Sequence, residues 1–407
     1  MKKITLEKSL AIGVMALTVM FSCQSPVVEE SDYVDDVALK SAAVGKISYI
    51  VQLNDADLLS ELKTVKGYEK RKGAVKANAL GLLKRNQISD SDVGFVYSNS
   101  IVGFSVKIAP GQAKKLLSDK SVKSIHKDKV VALAPPPGKG PNKGGDGDGG
   151  ITNQETPWGI TRVGGPVSVT GKTAWIIDSG IDLDHPDLNV AKGIGFSAFT
   201  KGKDTGFDDG NGHGTHVAGT IAAIDNNIGV VGVAAGATVV PVKVLNSRGS
   251  GSYSGVIAGI DFVAANGRSG DVANMSLGGS ASDALDNAVE AAASSSGVVF
   301  VLAAGNESDD ANSHSPARAN GPHVITVSAM DKNDNFASFS NYGNPPIDFC
   351  APGVGIKSSV KDGGYATWNG TSMAAPHVAG LVLLGNIETD GTVNGDPDGS
   401  PDLIAHH

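Results

Sequence analysis

The sequence predicts an α/β protein in which a domain with a mostly parallel sheet follows a small α+β domain. Three observations carry this. From about residue 158 to 386, short apolar runs such as residues 173–177 (TAWII), 238–244 (TVVPVKV) and 298–302 (VVFVL) alternate with longer helical stretches rich in Gly and Ala. That is the pattern of buried parallel strands joined by crossover helices. From residue 44 to 133 strand-like and helix-like patterns also alternate, over shorter lengths. Between the two parts, residues 135–150 (PPPGKGPNKGGDGDGG) are nearly all Pro, Gly, Lys and Asp and cannot bury apolar surface, so they read as a linker and as an exposed site for processing.

In order along the chain, the leader comes first. Met1-Lys2-Lys3, the apolar run 10–21 and Ser22-Cys23 form the basic and apolar regions of an export signal over residues 1–23, too short for a membrane span. Ser22-Cys23 resembles a bacterial lipoprotein cleavage site, so a lipid anchor on Cys23 is expected, with plain secretion as the alternative. Residues 24–43 form a polar spacer. Within 44–133 the expected order is strand (47–51), helix (58–85), strand (102–108), helix (111–119) and strand (130–133). Residues 134–153 form the linker, 154–387 the larger domain and 388–407 an acidic, solvated tail. The sequence of the tail, around DPDGSPD, lacks the spacing and terminal Glu of an EF-hand.

Composition narrows the function. With 53 Gly, 41% apolar and 5% aromatic residues among 407, the chain is turn-rich and packed by small side chains. A formal charge of −8 and the absence of a basic patch in the second half argue against a nucleic-acid partner. Two cysteines, Cys23 and Cys350, make no disulfide framework.

Three motifs carry chemistry. Asp178 ends an apolar strand in IIDSGID, His213 opens a small-residue helix in NGHGTHVAGTIAA, and Ser372 opens another in GTSMAAPHVAG. Singly, each is an ordinary turn former, helix start or helix cap. Together, in the order Asp, His, Ser and each at a Gly-flanked element end, they match the subtilisin triad. On these motifs residues 154–385 resemble the subtilisin family. The resemblance implies a three-layer domain and a serine endopeptidase acting on polypeptides, in which Ser372 attacks, His213 is general base and acid, and Asp178 orients the imidazole. His216, at i+3 from His213, lies outside the family's base position and lacks a zinc-type HExxH pattern. Residues 370–374 (GTSMA) also lack the Gly-x-Ser-x-Gly elbow of an esterase of another fold. A catalytically silent peptide-binding relative is the alternative, although Asp178, His213, Asn306 and Ser372 are all kept.

The same resemblance implies the remaining site residues. Asn306, in AAGN, takes the place of the side-chain oxyanion donor, beside the backbone N–H of Ser372. Gly249, Ser250 and Gly251 on one side and Ser276, Leu277, Gly278 and Gly279 on the other would hold substrate as an added strand. Gly278, Gly279 and Gly305 would line the pocket for the residue before the cut, with Pro316 as a further wall. Structural calcium is implied on Gln154, Asp187, Asn226 and the carbonyls of Ile224, Ile228 and Val230, all hard oxygen donors. Residues 44–133, with their YIVQL, IVGFSVKI and VKSIHKDKVV segments, resemble the inhibitory propeptide that precedes many subtilisins. The chain is thus expected to be a self-inhibited precursor, monomeric and exported, cut somewhere between about residues 133 and 153. Only 35 residues follow Ser372, so the last elements of the sheet are expected to be reduced.

Overall fold

The computed structural model describes residues 45–89, 92–133, 153–385 and 387–407. The signal peptide, the Cys23 anchor, the spacer and nearly all of the linker lie outside these residues.

The N-terminal domain contains β1 (Ile47–Leu53), α1 (Ala56–Thr64), α2 (Tyr68–Arg85), β2 (Val93–Tyr97), β3 (Gly103–Ile108), α3 (Pro110–Leu117) and β4 (Val122–Lys127). Its four strands form an antiparallel sheet in the order β2-β3-β1-β4. Leu58, Leu62, Val75, Ala79, Leu82 and Leu83 pack the helices onto one face of it. The single long helix expected over 58–85 is two helices. Val65 leaves helical geometry and Gly67 takes φ 91°, a left-handed value that costs Gly nothing, so the chain turns between them. The strands β2 and β4 also add to the expected order. A further short strand, β5 (Val130–Ala132), does not join this sheet at all: it pairs with the larger domain.

In the larger domain, β6 (Thr173–Asp178), β7 (Thr238–Lys243), β9 (Val272–Met275), β11 (Val299–Ala303), β13 (Val324–Met330) and β14 (Ile347–Pro352) make a parallel sheet. Its order is β14-β13-β11-β9-β6-β7. Alternate residues of β6 face opposite layers. Trp175 and Ile177 pack with α6 (Tyr253–Asn266) and α7 (Asp283–Ser296), while Ala174 and Ile176 pack with α5 (His213–Ala222) and α8 (Thr371–Leu384). Three layers result. The chain runs from β6 outward to β7, then returns past β6 to β9, so the order reverses at β6. The carboxyl ends of strands at such a reversal leave a crevice, and Asp178 is the last residue of β6.

Residues 388–407 correct the expectation of a solvated tail and a reduced sheet. They form β17 (Glu388–Thr392) and β18 (Leu403–His406), and β18 pairs in parallel with β14 at the sheet's edge. The acidic run disguises buried residues: Ile404 and Ala405 are fully covered, and Asp402, 4% exposed, accepts from Ser328 Oγ and from Asn344 Nδ2 at 3.0 Å. Among the described residues no helix is long and apolar enough to cross a membrane.

Candidate active site

Helix α5 is held at its start by a residue the sequence did not single out. Asp209, almost fully buried, accepts from the backbone N–H groups of Asn211, Gly212 and Thr215 and from the hydroxyls of Ser179 and Thr215, at 2.7–3.0 Å. These are the orphan donors of a helix N-terminus, and a carboxylate is the favoured group there. The helix start is pressed against the end of β6. A Cβ on Gly214 would lie 2.1 Å from the Gly180 carbonyl oxygen, so only Gly permits this approach. The result is that His213 Nδ1 lies 2.9 Å from both oxygens of Asp178, whose carboxylate is fully buried and also accepts from Ser179 N at 2.6 Å.

Burial pushes the His213 pKa down, but the Asp178 charge and hydrogen bond, with the Asp209 charge, outweigh it and raise the pKa above the usual histidine value. Lys243, the last residue of β7 and paired in register with Asp178, is buried and donates to the Ser179 carbonyl. Burial lowers its pKa, opposed by the charges of Asp209, Asp204 and Asp178. A lysine closing an apolar strand was the available sequence signal. His216 takes a different part: Nε2 bonds the carbonyl oxygens of Ile356 and Ala366 at 3.1 and 3.2 Å, and its ring stacks on Trp368 at 4.6 Å. Burial first, then the neighbouring His213, brings its pKa down to about 3, so it stays neutral.

Ser372 is the second residue of α8, where backbone N–H groups are not used by the helix. Its hydroxyl donates to the Ser276 carbonyl at 3.3 Å, and Ser276 Oγ donates back to the Ser372 carbonyl at 2.9 Å. Asn306 is oriented by Thr371, whose backbone N–H and hydroxyl donate to Asn306 Oδ1 at 2.8 and 3.0 Å. That leaves Nδ2 facing the niche beside Ser372 N: a Cβ built on Gly370 would lie 3.6 Å from each of those two nitrogens. Gly370, at φ 147°, keeps the niche open. Two N–H donors converging beside a serine are suited to a developing oxyanion.

The substrate-binding segments predicted from the sequence flank an extended strand, and the strand belongs to this chain. β5 lies antiparallel to β8 (Ser250–Ser252), with Ala132 opposite Ser250, Val131 opposite Gly251 and Val130 opposite Ser252. Leu133 N donates to the Gly249 carbonyl at 2.9 Å. On its other side Ala132 bridges Gly278. Ser276, Leu277, Gly278, Gly279 and Gly305 line a cavity with Asn306 and Ser372, to which Ala303, Ala304, Glu307, His314, Ala317 and Thr371 contribute further wall and Ala132 of β5 the side toward the N-terminal domain. Gly279 contributes through β10 (Gly279–Ser280), which pairs with β12 (His314–Ser315).

Two carboxylates fasten the N-terminal domain further from the cleft. Asp128 accepts from Ser254 N at 2.9 Å and Ser254 Oγ at 2.6 Å at the start of α6. Asp261, on α6, accepts through one oxygen from Ser98 N, Asn99 N and Ser100 N at 2.7–2.8 Å and from Ser100 Oγ at 3.0 Å. Tyr97, Ile101 and Val131 join the apolar core of α6 and α7 across the boundary.

The residues with expected calcium roles are also brought together. Gln154 Nε2 lies 2.7 Å from the Ile224 carbonyl and 3.3 Å from that of Val230. Asp187 accepts from Asn226 Nδ2 at 2.8 Å, from Val230 N at 3.0 Å and from Tyr365 Oη at 3.2 Å, and Asn226 Oδ1 accepts from Ile228 N at 2.7 Å. Burial raises the Asp187 pKa against these neutral donors, and a carboxylate buried among neutral donors and carbonyls suits a hard cation.

A family model described as the subtilase family matches residues 172–386. The chain belongs to the subtilase family. A second model, described as peptidase inhibitor I9, matches residues 48–134 of this subtilase. Alkaline serine exoprotease A of Vibrio alginolyticus is 43% identical over 301 residues, covering 71% of this chain and 52% of that protein. The subtilase thus spans about half the length of the Vibrio relative. Subtilisin E of Bacillus subtilis is 43% identical over 282 residues, 67% of this chain and 69% of its own. Among solved structures, that of a cold adapted subtilisin-like serine proteinase matches with TM-score 0.53 and 38% identity, covering 61% of this chain and 97% of that one. The enzyme class is that of the subtilisin-like serine endopeptidases, with an inhibitor-type domain in front.

Proposed function

We propose that this subtilase is an exported serine endopeptidase, stabilised by calcium and made as a precursor that its own N-terminal domain holds inactive. One observation carries the reading: β5 lies as an added strand between residues 249–252 and Gly278, on the path to Ser372, where His213 is already locked onto Asp178.

In the catalytic cycle a peptide replaces β5 and is held by the same backbone groups. Ser372 Oγ turns from the Ser276 carbonyl, gives its proton to His213 Nε2 and attacks the peptide carbonyl. Asp178 holds the Nδ1 proton, fixing the tautomer and stabilising the imidazolium. The oxyanion meets Asn306 Nδ2 and Ser372 N. His213 then passes its proton to the leaving amine, and water releases the acyl group by the same route. With all four residues in place, the silent peptide-binding reading has no observation in its favour.

Calcium would sit among Asp187, Asn226, Gln154 and the carbonyls of Ile224, Ile228 and Val230, with the Gln154 amide presenting its oxygen, and would contribute stability rather than chemistry. Export rests on residues 1–23 and a lipid anchor on Cys23. Intact mass and N-terminal sequencing of the secreted protein decide the anchor and the processing site. The test of the enzyme reading is labelling of the mature protein by a fluorophosphonate. Label is expected on Ser372 and absent in S372A; a folded mature protein that takes no label would overturn the proposal.

A further inference from the structure

The indole of Trp368 lies across two imidazoles, and the catalytic steps use only one of them. Trp368 ends a hairpin of β15 (Ile356–Val360) and β16 (Gly364–Trp368), where it stands opposite Ile356. His216 fastens that hairpin to α5. Its Nε2 donates to the carbonyl oxygens of Ile356 on one strand and Ala366 on the other, and its own carbonyl accepts from Ser358 Oγ at 2.8 Å. The two acceptors place the ring proton on Nε2, and burial keeps the ring neutral. The half-buried Trp368 ring stacks on this fixed ring with centroids 4.6 Å apart and planes inclined by 9°. It also stacks on His213, one turn back on the same face of α5, at 6.2 Å and 17°. Beyond Trp368, Asn369 Oδ1 accepts from Gly355 N at 2.6 Å and Gly370 N donates to the Gly353 carbonyl at 2.8 Å, so the chain leading to Ser372 is held as well. All of these partners belong to the catalytic domain.

The Asp178 bonds hold Nδ1 of His213, the edge of the ring away from Ser372. The atom that must take the serine proton is Nε2, and the plane of the ring decides where it points. Stacked rings at these spacings attract one another beyond the area they bury. Misplacing a reacting group by about 1 Å can cost on the order of 10² in rate. We infer that Trp368 is a positioning residue for the general base: seated on the anchored ring of His216, it holds the plane of His213 so that Nε2 faces Ser372. The inference rests on the endopeptidase reading and adds two residues, Trp368 and His216, to its proton-transfer step.

The test compares the mature wild type, W368F, which keeps a flat face, and W368L, which does not. Each is labelled with a small alkyl fluorophosphonate, whose leaving group is fluoride, so nothing occupies the leaving side of the cleft. W368L is expected to label about 3- to 10-fold more slowly, and to lose the same factor in kcat on a small p-nitroanilide peptide with KM little changed. W368F is expected to stay within about twofold of wild type. The proton between His213 Nδ1 and Asp178 should give a sharp downfield ¹H resonance in the wild type and W368F, broadened by exchange with water in W368L. W368M makes the same comparison should W368L fail to fold. Wild-type labelling and a sharp resonance in W368L, or a W368F as slow as W368L, would overturn the inference. So would a W368L defect confined to the p-nitroanilide, which would mark a contact with the leaving group alone. A folded wild type that takes no label would overturn the endopeptidase reading instead.

Discussion

Replacing Asp261 with Ala should free the N-terminal domain from the protease without touching the cleft. One carboxylate oxygen of Asp261 gathers three consecutive backbone amides and one hydroxyl of residues 98–100, at 2.7–3.0 Å. Hydrogen bonds to a charged group contribute about 1.5–3 kcal/mol each, and a buried donor left unpaired costs about 1–3 kcal/mol. The four share a single acceptor and water can reach part of the gap in the variant, so their contributions do not add in full. A total loss of about 3–4 kcal/mol is expected, which at 1.4 kcal/mol per tenfold is a 100- to 1,000-fold weaker complex. The assay titrates residues 45–133 in trans against mature wild-type, D261A and D261N enzymes with a small chromogenic substrate. The inhibitor is identical in every titration, so its own folding free energy cancels from the ratios of Ki. D261N, which keeps an acceptor oxygen but no charge, should lose about tenfold. A Ki for D261A within threefold of wild type would show that β5 and the apolar contacts hold the domain alone and that the Asp261 contacts add nothing.

Other outcomes follow from the same geometry. His213 must be neutral to act as base, and its pKa lies above the usual value of 6.5. Activity should therefore fall as pH drops through a point above 6.5, and D178N, which removes the raising charge, should move that limb to lower pH while cutting kcat by about 10⁴. N306A should lower kcat by about 10²–10³ with little change in KM, the loss of one oxyanion donor. Residues 45–133 carry sixteen Lys and Arg against eight Asp and Glu, and residues 153–407 carry twelve against 26. Association of the separated parts should thus slow by about tenfold or more between 0.05 and 1 M NaCl, where the Debye length shrinks to about 3 Å, with the dissociation rate little changed. Chelation of calcium should lower the melting temperature of the mature enzyme by about 5–10 °C, from about 2.7 kcal/mol of linkage at a hundredfold excess over Kd. In D187N, chelation should produce no such shift.

What could be read from the sequence was what local chemistry makes explicit. Asp178, His213, Ser372 and Asn306 each carry flanking Gly and Ala that announce a tight element end, and the parallel strands announce themselves as β-branched runs. The rest depends on partners distant in the chain. Nothing local in VIAGID marks Asp261 as the acceptor for amides 161 to 163 residues earlier, and Asp209 caps a helix that starts four residues after it. The strand 403–406 was hidden because its burial comes from β14, while its own neighbourhood is acidic and rich in turn formers. The break at 65–67 was missed because the Lys-rich surface on either side has the composition of one continuous helix. His314 stood out as unusual, but its carboxylate neighbours Glu307 and Asp309 are themselves held by Asn341, more than 30 residues further on, which no local pattern announces.

The last strand of the catalytic domain also ties back to its beginning. The amide of His407 donates to the Val163 carbonyl, and Arg162 pairs with Asp390 as well as Asp334. The first helix of that domain, Trp158–Arg162, is therefore fastened by residues more than 220 positions further along the chain. A chain broken before residue 403 would take Ile404 from the cluster around Cys350 and Met330 and leave the Val163 carbonyl without the amide of His407. The catalytic domain is in this way closed on itself: without residues 390–407, Arg162 would keep Asp334 alone, and the edge of the sheet at β14 and the first helix would lose their cover together.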